Sequence, residues 1–377
     1  MGSIEHVVVQ RSGAAGLVTL ARPKALNALS LEMIRMLTER LLAWRDDPAV
    51  QVVAIRGSSR DPADTAGHLP FGAFCAGGDI RFFHQAATQG NPVLEDFFTE
   101  EYRLNHLIHH YAKPIVAFMD GIVMGGGMGV AQGARQRVVT ERTKMAMPET
   151  GIGLFPDVGG GYFLSRCAGH MGEYLALTGR TLDGAQAVAV GLADHLVASQ
   201  RLAPLWDALA SGEISSSESL ARALQTDAQA ADAAPAQWPP GPVDRYFGLK
   251  SVAAILLALE TDAGVHAWAR DTAAVLRQRS PLMLHVTLAQ IRRARTMTLA
   301  DELRMERDLV RHCFFPAHLG RSGAATEVVE GVRALAVDKD HQPRWNPPRC
   351  EEVDAHMVEP FFFSPWPAHA HPLRELN

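Results

Sequence analysis

Two glycine-rich turns and two acids hold the residues of this chain best placed to do chemistry. The first turn is Phe74-Cys75-Ala76-Gly77-Gly78-Asp79-Ile80, and the second is Asp120-Gly121-Ile122-Val123-Met124-Gly125-Gly126-Gly127-Met128-Gly129. The acids follow at Met147-Pro148-Glu149 and Phe155-Pro156-Asp157. Glycine has no Cβ, so its backbone N–H can come close to a ligand. Two such N–H groups from separate turns can converge on one carbonyl oxygen and form an oxyanion hole. A carboxylate beside that hole points to acyl chemistry rather than nucleotide binding.

The segments around these turns must position them. Val7-Val8-Val9 and Leu17-Val18-Thr19-Leu20 read as strands joined by the turn residues 12–16. Ser30 predicts the cap of a helix whose apolar face is Ile34, Leu37, Leu41 and Trp44. Val52-Val53-Ala54-Ile55 reads as a fully buried strand ending at Gly57, and Ile115-Val116-Ala117-Phe118 leads into the second glycine turn. Strands alternating with helices predict an α/β domain with both sheet faces covered.

Small residues and prolines dominate near 226–242, which predicts a linker. Beyond it the pattern is helical. Ser280-Pro281 opens a helix along Leu284, Leu288 and Ile291. Thr298 and Asp301 resemble a capping box before Leu303, Leu309 and Val310. Residues 361–367, rich in proline and aromatics, predict an irregular strap. The expected organisation is an α/β core over 1–200 and a mainly helical region over 201–377.

At 377 residues the chain can bury a large core, and 47% apolar with 20% charged residues is ordinary for a globular protein. A net charge of −5 argues against general nucleic-acid binding. The four cysteines, Cys75, Cys167, Cys313 and Cys350, are scattered without metal-ligand spacing, which predicts free thiols in a reducing compartment. His109-His110 has no third ligand at sensible spacing, so no metal is expected. No apolar run reaches the roughly 20 residues of a membrane span, and residues 1–5 lack the pattern of a signal peptide. The expectation is a cytoplasmic protein with no membrane partner.

Beyond these readings, the chain resembles the enoyl-CoA hydratase/isomerase (crotonase) superfamily. The resemblance rests on Arg22-Pro23-Lys24-Ala25-Leu26-Asn27-Ala28-Leu29, the turn at 74–80, and Lys113-Pro114 before the glycine turn. Within that superfamily it resembles the 3-hydroxyisobutyryl-CoA hydrolases through residues 147–163, from Met147-Pro148-Glu149 to Gly161-Tyr162-Phe163. Glu330-Gly331-Val332-Arg333-Ala334 and Asp338-Lys339-Asp340 add to the match.

The resemblance implies a crotonase-type spiral of β-β-α units with a helical C-terminal region. It implies that Gly78 and Gly126 supply the oxyanion N–H groups, with Gly126 also opening a helix. It implies catalytic or substrate-binding roles for Glu149 and Asp157, and a substrate contact for Glu101. The implied partner is an acyl-CoA substrate, with no cofactor beyond the CoA it carries, and homo-oligomers occur in the superfamily. Valine catabolism is the implied pathway.

The acids separate the possible reactions. Hydratases of the superfamily hold a water between two glutamates. Counted from the triple glycine, the first of those positions is Gly129 here and the second is Glu149. One carboxylate cannot easily fill both proton roles of hydration, but it can serve thioester hydrolysis as nucleophile or base. The leading expectation is therefore hydrolysis of a short 3-hydroxyacyl-CoA. The alternatives are a hydratase or isomerase using a single glutamate, and a non-catalytic acyl-CoA-binding protein.

Overall fold

Val7–Ser12 (β1) and Ala15–Leu20 (β2) pair antiparallel, with Val7 opposite Leu20 and Gly13 at φ 55 in the connecting turn. The turn is only two residues long, tighter than the five-residue stretch read from sequence, because a left-handed glycine reverses the chain at once. These coordinates are a computed structural model that describes residues 6–61, 69–230 and 242–377. The residue ranges form two compact units. Unit 1 comprises Met1–Gly78, Leu104–Ala146 and Thr181–Ala236, and unit 2 comprises Asp79–Arg103, Met147–Arg180 and Gln237–Asn377.

Unit 1 is built on β1 and β2 with Val52–Gly57 (β3), Ile115–Met119 (β4), Gln136–Val139 (β6) and His195–Leu196 (β8). Their order in the sheet is β1-β2-β3-β4-β6-β8, and every pair after the first is parallel. Ile122–Met124 (β5) and Lys144–Ala146 (β7) form a second, two-stranded parallel sheet. β3 and β4 are buried at every residue, and the apolar runs Val52–Ile55 and Ile115–Met119 are what a covered parallel sheet requires. One core cluster joins Leu17, Val52, Ala54, Val116 and Phe118 to Leu205, Trp206 and Leu209 of the helix Leu202–Ser211. Each Val, Leu or Phe of this cluster, fully buried, contributes about 1.5–3 kcal/mol.

Leu31–Asp46 (α1) begins at Ser30, whose hydroxyl accepts from the Met33 amide at 3.3 Å, and buries Ile34, Leu37, Leu41 and Trp44 as the spacing predicts. Ile80–Gln89 (α2) is capped by Asp79, which accepts from the Phe82 amide at 3.3 Å. Val93–His109 (α3) follows, and Gly126–Gln132 (α4) opens at the triple glycine.

Unit 2 packs α2 and the start of α3 with C-terminal helices. Phe83, Phe97, Phe98 and Phe314 form an aromatic cluster, with Phe83 and Phe97 ring centroids 4.8 Å apart. Ser280 caps the helix Pro281–Ala294 and Thr298 caps Leu299–Phe314. At Thr298 the box is incomplete. Asp301 takes the Thr298 hydroxyl at 2.8 Å, because its shorter side chain replaces the usual Glu or Gln that reaches the cap amide. At the C-terminal strap Phe361 is buried within the short turn Glu359–Phe362, while Phe363 is exposed.

The stretch 226–242, read as a linker, needs one correction. Residues 226–230 finish the helix Ser217–Ala230, since alanine, glutamine and threonine continue a helix that glycine or proline would stop. Residues 231–241 lie outside the described residues, as do 62–68 of the long loop before the first glycine turn. Among the described residues, no helix is long and apolar enough to cross a membrane.

Candidate active site

In unit 1 the two glycine turns are stitched together by backbone. The Cys75 amide donates to Ile122 O at 3.0 Å, and the Met124 amide donates to Cys75 O at 3.0 Å. Gly77 has φ 108, and a Cβ placed there would stand 3.4 Å from Met124 O and 3.7 Å from the Gly126 nitrogen. A Cβ on Gly127 would stand 2.3 Å from Cys75 O, so this close crossing requires glycine. Gly125, at φ 47 and ψ −123, turns the chain into α4, and Gly126 is the first residue of that helix. A first-turn amide has no acceptor within its own helix. Among the described residues, neither the Gly78 nor the Gly126 amide donates to a turn, strand or cap carbonyl.

The segment 22–29 buttresses the first turn. Ala76 N donates to Leu26 O at 3.0 Å and Leu29 N to Gly77 O at 2.8 Å. Buried Asn27 accepts from Arg22 N and donates to Ser58 O at 3.0 Å and Ala73 O at 2.7 Å, tying three segments together. Asp120, ahead of the second turn, is buried and accepts from Thr140 Oγ1 at 2.5 Å and from Arg142. Cys75 is fully buried, and Lys113 donates to the Trp44 and Asp47 carbonyls.

The three acids named from sequence all lie in unit 2, and all are buried: Glu101 at 2% exposure, Glu149 at 5% and Asp157 at 5%. Pro148 leads into the short turn Glu149–Ile152, which closes with Gly153 at φ 72 and Leu154 N bonded to Glu149 O at 3.0 Å. One carboxylate oxygen of Glu149, Oε2, and one of Glu101, Oε1, have no hydrogen-bond partner among the described residues. Burial holds Glu149 well above the ordinary carboxylate range, and the Asp157 charge adds to it. Glu101 is raised by the same two causes. Burial lifts Asp157 to about 7, partly opposed by the hydrogen bond from Tyr102 Oη at 2.9 Å.

Three further buried groups stand with Asp157. Glu302 and Glu306 stand one turn apart in Leu299–Phe314, and Gln290 Nε2 donates to Glu306 Oε1 at 3.1 Å and to Glu302 Oε1 at 3.4 Å. Burial raises Glu302 to about 7 and Glu306 well above the carboxylate range. Behind the Glu149 turn, Ser280 N donates to Thr150 O at 3.0 Å, and the Ser280 hydroxyl bonds to Glu327.

Tyr102, Gln290, Glu302, Glu306 and Glu327 were not singled out from the sequence. The available signal was Glu302 and Glu306, spaced i,i+4 among the apolar residues Leu299, Leu303 and Leu309. The Glu330 motif has a structural part. Arg333 bonds Glu330, Asp338 and Asp340, each within 2.8 Å. Gly331 lets its helix press on the Glu149 turn, because a Cβ there would stand 2.4 Å from Ile152 C.

A buried carboxylate with an oxygen that has no partner among the described residues, within a group of acids, makes a candidate site for proton or acyl transfer. The parallel sheet with its crossed glycine turns in unit 1 fits a crotonase fold. The chain belongs to the enoyl-CoA hydratase/isomerase family, whose model matches residues 15–362. It is 39% identical over 369 residues to 3-hydroxyisobutyryl-CoA hydrolase 1 of Arabidopsis thaliana, covering 96% of this chain and 92% of that one. It is 38% identical over 365 residues to the mitochondrial 3-hydroxyisobutyryl-CoA hydrolase of Gallus gallus, covering 96% and 89%. Among solved structures, a carnitinyl-CoA dehydratase from Mycobacterium thermoresistibile matches with a TM-score of 0.81 at 36% identity, covering 99% of this chain and 100% of that one. An enoyl-CoA hydratase from Rhodobacter sphaeroides 2.4.1 matches with a TM-score of 0.79 at 32% identity, covering 96% and 98%.

Proposed function

We propose that this protein hydrolyses short 3-hydroxyacyl-CoA thioesters, 3-hydroxyisobutyryl-CoA foremost, to the free acid and CoA. The observation that carries this reading is the asymmetry of the acids. Position 129 is a glycine buried in α4, while Glu149 is a buried carboxylate with one oxygen that has no partner among the described residues. One carboxylate cannot easily fill both proton roles of hydration, whereas it can serve hydrolysis as nucleophile or base. The names of the Arabidopsis thaliana and Gallus gallus relatives support the same substrate.

In the proposed reaction the Gly78 and Gly126 amides stabilise the oxyanion that forms as the thioester carbonyl is attacked. Each donor of this kind is worth about 2.7–4 kcal/mol. Acting as nucleophile, Glu149 forms a mixed anhydride and expels the CoA thiolate, which takes a proton. Water then cleaves the anhydride and restores Glu149. Acting as base, Glu149 takes a proton from the water that attacks the carbonyl directly. Label found in Glu149 after a single turnover in labelled water would show the anhydride route, since base-assisted attack of water on the thioester cannot put it there. Asp157 receives the 3-hydroxyl of the substrate, and Glu101 lines the same subsite.

A hydratase or isomerase working through one glutamate is the second reading, favoured by the names of the two solved structures. A non-catalytic binder is disfavoured. Burying unpaired carboxyl groups costs folding free energy, and mere binding gives no return for it. Incubation with 3-hydroxyisobutyryl-CoA, 3-hydroxypropionyl-CoA and crotonyl-CoA, following free thiol and products, separates the three. A role in valine catabolism follows from the proposed substrate. For location we propose the cytoplasm. The four free, buried cysteines support a reducing compartment, and fractionation distinguishes the cytoplasm from the mitochondrial location named for the Gallus gallus relative. A homo-oligomer is the proposed quaternary state, supported by the family resemblance and checked by light scattering.

A further inference from the structure

Asp157 stands on a turn that is gripped on both sides by one cluster of buried groups. Before it, Pro156 O accepts from Gln290 Nε2 at 2.8 Å. After it, the Gly159 amide donates to Glu306 Oε2 at 2.8 Å and the Gly161 amide donates to Glu306 Oε1 at 3.2 Å. The turn itself closes through Gly160 N on Asp157 O at 2.8 Å. It holds Val158 at φ 57, a conformation that a β-branched residue adopts only when its surroundings impose it. Gly161 is pressed just as tightly, since a Cβ there would stand 2.1 Å from Glu302 Oε1.

The cluster is expensive to bury. Glu302 and Glu306 are both fully inaccessible, and Glu302 Oε2 and Gln290 Oε1 have no partner among the described residues. A purely structural anchor for two amides would need only one acceptor, and a smaller one.

We infer that Glu306, backed by Gln290 and Glu302, is a positioning residue that fixes the Asp157 turn and thereby sets selectivity for the substrate's 3-hydroxyl. This rests on the proposed reading of Asp157 as the group that receives that hydroxyl. Two anchored amides hold the carboxylate where the hydroxyl must arrive. Release of the turn lets Asp157 move, and a displacement of about 1 Å can cost up to roughly a hundredfold in rate. A substrate without the hydroxyl makes no use of Asp157 and loses less.

The test compares wild type, Glu306→Gln and Glu306→Ala on 3-hydroxyisobutyryl-CoA and isobutyryl-CoA, with Asp157→Asn as reference. Amide hydrogen exchange is followed over residues 156–164 and 149–154. Glu306→Gln is close in shape and keeps one acceptor, so it gives a readable protein even where Glu306→Ala folds poorly. The expected result is a fall of about tenfold or more in the ratio of kcat/KM values between the two substrates, approaching that of Asp157→Asn. It is accompanied by faster exchange over 156–164 with little change over 149–154. An equal fall on both substrates, or unchanged exchange over 156–164, overturns the inference. If wild type releases no thiol from either substrate, the proposed function fails, and the exchange result alone decides whether Glu306 holds the turn.

Discussion

The Tyr102 hydroxyl donates a hydrogen bond of 2.9 Å to Oδ2 of Asp157, and both groups are buried. A phenol in that position favours the ionised carboxylate against the desolvation that raises it to about 7. Tyr102→Phe removes the donor and leaves the packing. Asp157 should then titrate higher still and carry less charge at neutral pH. A hydrogen bond to a charged group is worth about 1.5–3 kcal/mol, so turnover of a 3-hydroxyacyl-CoA near pH 7 should fall by roughly tenfold or more. Part of the loss should return at higher pH. A pH–rate profile with an unmoved acid limb would show that Tyr102 does not tune Asp157.

The buried acids also make stability depend on pH. Asp157, Glu302 and Glu327 are each raised by burial to about 7, above their ordinary values of 3.8, 4.5 and 4.5. The folded state therefore binds more protons than the unfolded state between those limits. Their contribution is fully present below about pH 4 and is lost as pH rises through about 7. Thermal unfolding should give a higher Tm at mildly acidic pH than at mildly alkaline pH, and Glu302→Gln should flatten the difference. A Tm that rises steadily from acid to alkaline pH would contradict this.

Gly331 is packed against the turn that carries Glu149, and its missing Cβ would stand 2.4 Å from Ile152 C. Gly331→Ala should force the helix Glu327–Val332 away from that turn. Overpacking of this kind costs about 1–3 kcal/mol. Denaturant unfolding should show that loss, and turnover should fall with it because the Glu149 turn moves. Unchanged stability and turnover would mean that the helix can shift freely.

Much of this architecture is legible in the amino-acid order because its causes are local. Val52–Ile55 of β3 and the whole of β4 are unbroken apolar runs, and Ser30, Ser280 and Thr298 cap helices by reaching amides three residues ahead. The glycines of the second turn announce a close crossing, and the structure shows Cys75 O as the atom that Gly127 avoids. Glu149 and Asp157 stand out through the long motif that surrounds them. Glu306 does not, because a buried acid and a solvated one look alike in a helix, and its partners lie 145 and 147 residues away. Asn27 was visible as part of a motif, but its three-way bonding depends on Ser58 and Ala73, which no local pattern reveals. The Arg333 ion cluster explains why the C-terminal motif carries acids at 330, 338 and 340 without giving them a part in the chemistry.

Gly129 sits in α4, at the position that the resemblance assigns to the first glutamate of a hydratase. Crotonyl-CoA hydration should accordingly be very slow beside hydrolysis of 3-hydroxyisobutyryl-CoA. Absorbance loss at the enoyl band, followed together with thiol release, measures both. Rapid hydration without CoA release would reverse the order of the two enzyme readings.

The central claim is that Glu149 is the carboxylate that breaks the thioester, and Glu149→Gln tests it most directly. The substitution keeps the side chain's shape and removes its charge and basicity. Steady-state hydrolysis of 3-hydroxyisobutyryl-CoA, followed by thiol release, gives kcat and KM for both proteins. The account predicts a fall in kcat of at least about a hundredfold with KM little changed. A Glu149→Gln protein that releases CoA at a rate close to wild type would contradict it.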